Sequence, residues 1–190
     1  MLIETIRIEN NIQNGYYQKK FMKKTFRKDQ LGALLDEYER ACDDLKRTIA
    51  DISIEEFTAI IDKETEDPDC VSIQTIMSHT VNAGYGYVFY IRKKFDDPNA
   101  VRERRDPAKT PAEACDELDK MIAYTEKNLS NKYSLTFEEI IKNEFKVPWG
   151  QCYDFEQMLE HAIVHILRHR RQIERFLIKY YSLNIAPHKE

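Results

Sequence analysis

Three of the five histidines in this 190-residue chain stand four residues apart, at His161, His165 and His169 within EHAIVHILRHRRQI. A neutral imidazole offers one lone pair to a divalent transition metal. On a helix, side chains four apart sit about 6 Å from each other, close enough to share an ion. At about 100° per residue, Ala162, Ile166, Ile173, Phe176 and Leu177 mark an apolar face with His169 near its centre and His165 on its flank. His161 lies further round toward the solvent edge, so His165 and His169 form the buried pair. A third ligand must come from another element. His79 is the remaining internal histidine, because His188 falls in the polar tail. Three imidazoles suit zinc or nickel, and also iron or copper, and they leave a coordination position open for water or substrate.

Other chemistries fit less well. Ile166 stands where an HExxH protease carries its glutamate, and no Glu-x-x-His pair is present to build a di-iron site. Cys42, Cys70, Cys115 and Cys152 show no CxxC spacing and read as reduced thiols outside the metal set. Asn82, one turn after His79, is expected either to orient a ligand imidazole from outside the coordination sphere or to satisfy helix packing. His161 is assigned the same supporting role or a surface position. Glu160 reads as an exposed carboxylate near a helix start. Gly84 and Gly86 inside a helix imply close helix contact, space for a ligand, or a tolerated kink. Trp149 is expected to anchor a turn or to wall the mouth of a pocket.

Four long amphipathic helices are needed to position these residues. The first begins at Asp29 as N-cap and ends near Asp51, followed by a short helix from the Ser53/Glu56 capping box through Ile61. Ser72 caps the second, which carries His79 and stops at Asp96-Asp97-Pro98. Thr110, Pro111 and Glu113 open the third, running to Leu129, after a charged connection NAVRERRDPAK. Pro148 and Gly150 punctuate a mixed stretch before Asp154 caps the fourth helix, which runs to about Tyr181. Helices with one apolar stripe must bury those stripes against each other, so the expected fold is an all-α four-helix bundle over residues 28–182. Residues 1–27 form an N-terminal extension in which Asn14-Gly15 predicts a hairpin or an arm, and residues 183–190 form a polar tail.

The composition supports a single domain: 42% hydrophobic residues supply a core without disulfide staples. No run of about 18 apolar residues could span a bilayer, and MLIETIRIEN lacks a signal-peptide pattern, so a cytoplasmic protein with no membrane partner is expected. The net charge of -4 argues against nucleic acid as a partner. The interleaved basic and aromatic residues of YYQKKFMKKTFRK then read as a solvated edge.

The segment HILRHRRQI, together with MSHTVNAGYGY around His79 and the Pro148-Trp149-Gly150 turn, resembles the DinB/YfiT-like family of bacterial four-helix metalloproteins. The resemblance covers about residues 28 to 182. It implies ligands at His79, His165 and His169, and chemistry that includes low-molecular-weight thiol transfer or isomerisation. Arg171 departs from the family pattern, which often has glycine there, and this puts a standard substrate pocket in question. Two functions follow as expectations. One is a metal-dependent enzyme acting on a small molecule, a thiol S-transferase or hydrolase with a thiol as co-substrate. The other is a non-catalytic metal-binding stress-response or structural protein. A homodimer is expected in either case.

Overall fold

The computed structural model describes the backbone of residues 25–185 and the side chains of residues 25–182. The hairpin or arm expected over 1–27, and the polar tail, therefore lie almost wholly outside the described residues. Six α-helices and one two-stranded antiparallel ribbon are present among the described residues: α1 (Asp29–Ile49), α2 (Ile54–Thr58), α3 (Ile73–Lys94), α4 (Pro111–Leu129), α5 (Phe137–Lys142), β1 (Phe145–Lys146), β2 (Cys152–Tyr153) and α6 (Phe155–Ile185). The chain is mainly α-helical. None of these helices is long and apolar enough to cross a membrane.

The caps explain where the helices start. Ser72 Oγ accepts from Thr75 N while Thr75 Oγ1 accepts from Ser72 N, which sets the register of α3 seven residues before His79. Thr110 accepts from Glu113 N, and Pro111 fills the first turn of α4. Asp154 Oδ1 accepts from Gln157 N at 2.9 Å and Gln157 Oε1 accepts from Asp154 N at 3.1 Å, a reciprocal cap that starts α6. Such a cap is worth about 1 kcal/mol. It also fixes the phase of the three histidines that follow.

The start of α1 differs from expectation. Asp29 is inside the helix at φ 62°, and Lys28 occupies the cap position with no side-chain hydrogen bond. An ion-pair cluster holds this end instead: Arg27 reaches Asp36, Glu39 and Glu126, and its own N–H donates to Asp36 Oδ2. Gly32 lets the incoming chain lie close, since a Cβ there would stand 2.8 Å from Arg27 Cβ. The α2 helix also stops at Thr58 rather than Ile61, because the N–H groups of Ile61 and Asp62 bond to Val71 O.

The long helices pack in a ring of neighbours. The α1 helix lies against α6 and α4, and α3 lies against α4 and α6. Their facing stripes include Leu31, Leu35, Leu45, Ile76, Met77, Leu118, Met121, Met158 and Ile166, all buried. Each fully buried side chain of this size adds about 1.5–3 kcal/mol of transfer free energy. Gly84 marks a close approach: a Cβ there would collide with Met121 Sδ and stand 3.0 Å from the Tyr38 hydroxyl. Inward-facing Thr80 and Thr125 satisfy their hydroxyls on the carbonyls of Ile76 and Met121, so neither costs the core an unpaired polar group.

Candidate metal centre

His79 on α3 and His165 and His169 on α6 converge where these two helices pack. His165 Nε2 stands 3.0 Å from His79 Nε2 and 3.1 Å from His169 Nε2. One ligand atom from each of the three residues falls within 4.8 Å of the others. Tetrahedral zinc, with Zn–N bonds of about 2.0–2.1 Å, sets its nitrogen ligands about 3.3 Å apart. The observed spacings therefore suit one shared ion, and the three-histidine group could hold a metal.

Two of the three rings are oriented from behind. Asp69 Oδ2 accepts from His79 Nδ1 at 3.0 Å, and Gln172 Oε1 accepts from His169 Nδ1 at 3.0 Å. With Nδ1 carrying the proton, the Nε2 lone pair of each ring faces the shared volume, as a metal ligand requires. Asp69 reaches this position through a 3₁₀ turn, Pro68–Cys70, in which Asp67 accepts from Asp69 N. That turn packs against α3.

Burial favours the ligand form of the imidazoles. Desolvation, followed by the neighbouring His169, His79, His161 and Arg168, pushes His165 down to about 2. Burial likewise lowers His169, with Gln172 pulling against it, and burial and then Arg168 lower His161. These rings are therefore held neutral. Access is one-sided: His165 and His169 are 8% and 7% exposed, whereas the His79 side chain is 31% exposed. His79 also lines a cleft of about 500 Å³ together with Asn82, Tyr90, Arg102, Arg104 and Trp149.

His161 is one turn from His165, their rings stacked with centroids 6.1 Å apart, and it is not one of the three converging ligands. It sits in an aromatic nest: Tyr153 Oη lies 3.1 Å from His161 Nδ1, Trp149 stacks on the ring at 6.0 Å, and Tyr87 meets it edge-on at 5.5 Å. The ribbon builds this nest. Phe145 pairs with Tyr153 and Lys146 with Cys152, and the turn between them closes through Val147 N on Gln151 O. Gly150, at φ 99°, takes the left-handed conformation that this turn needs, which leaves Trp149 between Tyr90 and His161.

Asn82 does not reach His79. Its amide donates to Ser78 O and Arg105 O, and its carbonyl accepts from Arg105 N, so it straps the α3–α4 connection to α3. Arg171 is exposed and lies along a separate cleft on α6 with Arg168, Gln172 and Arg175, away from the wall that holds His79. Glu160 is exposed. No cysteine joins the histidine group among the described residues, although Cys70 Sγ lies 4.0 Å from Gln172 Oε1. Sequence reasoning missed Asp69, Gln172 and Tyr153 as partners of the histidines. Gln172 alone carried a local signal, since it follows His169 by three residues and so shares its helical face.

No family model matches the chain, and no curated protein matches it.

Proposed function

We propose that this protein is a metal-dependent enzyme of the DinB/YfiT-like type, a cytoplasmic four-helix bundle over residues 28–182 that acts on a small molecule by thiol transfer or hydrolysis. The observation that carries this reading is the convergence of three imidazoles on one point, with one of them, His79, open to a cleft. A divalent ion bound there, zinc or nickel, would lower the pKa of a coordinated thiol or water and so supply a nucleophile near neutral pH. The chain's own residues do the rest. Asp69 and Gln172 fix two ligand rings, and burial of His165 and His169 keeps protons from competing with the ion. The Trp149, Tyr87 and Tyr153 nest limits water around His161 on the neighbouring turn. Thiol transfer is preferred to hydrolysis on the family resemblance, and a low-molecular-weight thiol is the matching co-substrate.

A second reading, a non-catalytic metal-binding stress-response or structural protein, has one observation in its favour. Among the described residues, the one carboxylate bonded to the three histidines is Asp69, and it is engaged by His79. The test is elemental analysis of untagged protein beside His79→Ala, His165→Ala and His169→Ala variants, followed by assays with thiols plus electrophilic probes and with an ester panel. One metal per chain in the wild type, lost in each variant, together with turnover supports the enzyme. Stoichiometric metal without turnover on either panel supports the second reading, and a wild type that refuses zinc and nickel overturns both.

A further inference from the structure

The connection between α3 and α4 is more than a crossover. Both of its ends are tied down: Arg92 donates to Asp97 Oδ2 and Asn99 O at one end, while Asn82 grips the Arg105 backbone and Gln74 donates to Ala108 O at the other. Between these ties, Arg102 and Arg104 enter the wall of the cleft that contains His79. Arg102 lies along α3, where its Nη1 donates to Tyr90 Oη at 3.0 Å and its guanidinium stands 5.6 Å from the Tyr90 ring. It passes Gly86, where even a Cβ would stand 3.6 Å from Nη2.

The charges in this cleft do not balance. Arg105 is paired with Glu117 at 2.8 Å, but among the described residues neither Arg102 nor Arg104 has a carboxylate partner. The one carboxylate in the cleft lining is Asp69, and it accepts from His79. Two guanidinium groups without a carboxylate partner, in a cleft also lined by Tyr90 and Trp149, make a receptor for an anion attached to an apolar body. We propose that this cleft is a substrate subsite for a small molecule bearing a carboxylate, sulfonate or phosphate group. Arg102 and Arg104 hold the anion, Tyr90 and Trp149 carry the body of the molecule, and the reactive end lies at His79. The inference deepens the proposed function and rests on it for the chemistry at that end, whereas the recognition of the anion does not require the ion.

Trp149 is the sole tryptophan of the chain, so its fluorescence reports this cleft directly. Metal-free and zinc-loaded protein are titrated with benzenesulfonate and with neutral benzyl alcohol, exciting where tyrosine does not absorb. The wild type is expected to bind the sulfonate at least about tenfold more tightly, as two charge-assisted contacts predict. An Arg102→Gln/Arg104→Gln variant is expected to lose that preference. An Arg171→Gln/Arg175→Gln variant, which removes equal charge from the α6 cleft, is expected to keep it. Equal affinities in the wild type, a preference that survives Arg102→Gln/Arg104→Gln, or one lost equally in the α6 variant would overturn the proposal. If zinc does not load, the metal reading fails separately, and the metal-free titration still decides whether the anion is recognised.

Discussion

Asp69→Asn isolates the charge behind His79, because asparagine keeps an acceptor for the ring N–H and removes the negative charge. The carboxylate sits 3.0 Å from His79 Nδ1. Adding a ring width of about 2.2 Å and a metal–nitrogen bond of about 2.0 Å puts the charge about 7 Å from an ion on Nε2. Since the Asp69 side chain is 57% exposed, the dielectric is close to that of water. A unit charge and a divalent ion then interact by about 1.2 kcal/mol before screening. A Debye length of about 30 Å at low salt leaves about 0.9 kcal/mol, close to fivefold in affinity. A Debye length of about 8 Å at physiological salt leaves about 0.5 kcal/mol, close to twofold. Competition against a chromophoric zinc chelator at the two salt concentrations reads both values. A loss that does not depend on salt would refute the electrostatic account, and unchanged affinity at low salt would place the ion away from His79.

Replacing Gly84 with alanine should destabilise the protein by roughly 1–3 kcal/mol in chemical denaturation, because the new methyl group meets Met121 Sδ, despite the better helix propensity of alanine. Ser72→Ala, which removes the cap that sets the register of α3, should cost about 1 kcal/mol and also weaken zinc binding at His79 in the same chelator competition. Glu117 is held at about 2, below its ordinary 4.5, by Arg105 and then Lys120. Its folded pKa is depressed, so its contribution to stability is present above about 4.5 and is lost as pH falls toward 2. With the Arg105 and Lys120 side chains 37% and 57% exposed, that contribution should stay under about 1 kcal/mol. The stability difference between wild type and Glu117→Gln should accordingly shrink between neutral pH and pH near 3, as read by denaturant midpoints.

What was legible in the chain depended on whether the signal was local. The long helices declared themselves because Ser72, Thr110 and Asp154 cap through residues three positions away, and because apolar stripes repeat at the helical period. The α5 helix carried the same kind of signal in Thr136 and Glu139, which form a full capping box inside the stretch read as mixed. The start of α1 was misread because Arg27 holds it through Asp36 and Glu39 and through Glu126, the last on α4 and visible only once the helices pack. His165 and His169 were readable from spacing on a single helix. His79 could be placed with them by elimination and by the family resemblance but not by spacing, and its distance to His165 is a product of the α3–α6 packing.

The same distinction explains why the sequence left Asn82 with two readings, support for a ligand ring or helix packing. One turn beyond His79 on α3, it stands within helical reach of the ligand ring, yet its amide turns to the connection, donating to Arg105 O and accepting from Arg105 N. Helical spacing gives the face a residue occupies and not which partner crosses that face. The structural consequence is that α3 carries both the ligand and the strap: its second turn supplies His79, and the next turn fixes the loop that delivers Arg102 and Arg104 to the same cleft. An Asn82→Ala change should therefore leave zinc stoichiometry intact while loosening the arginine wall. If it released the metal instead, the strap would have to be reread as a support for His79.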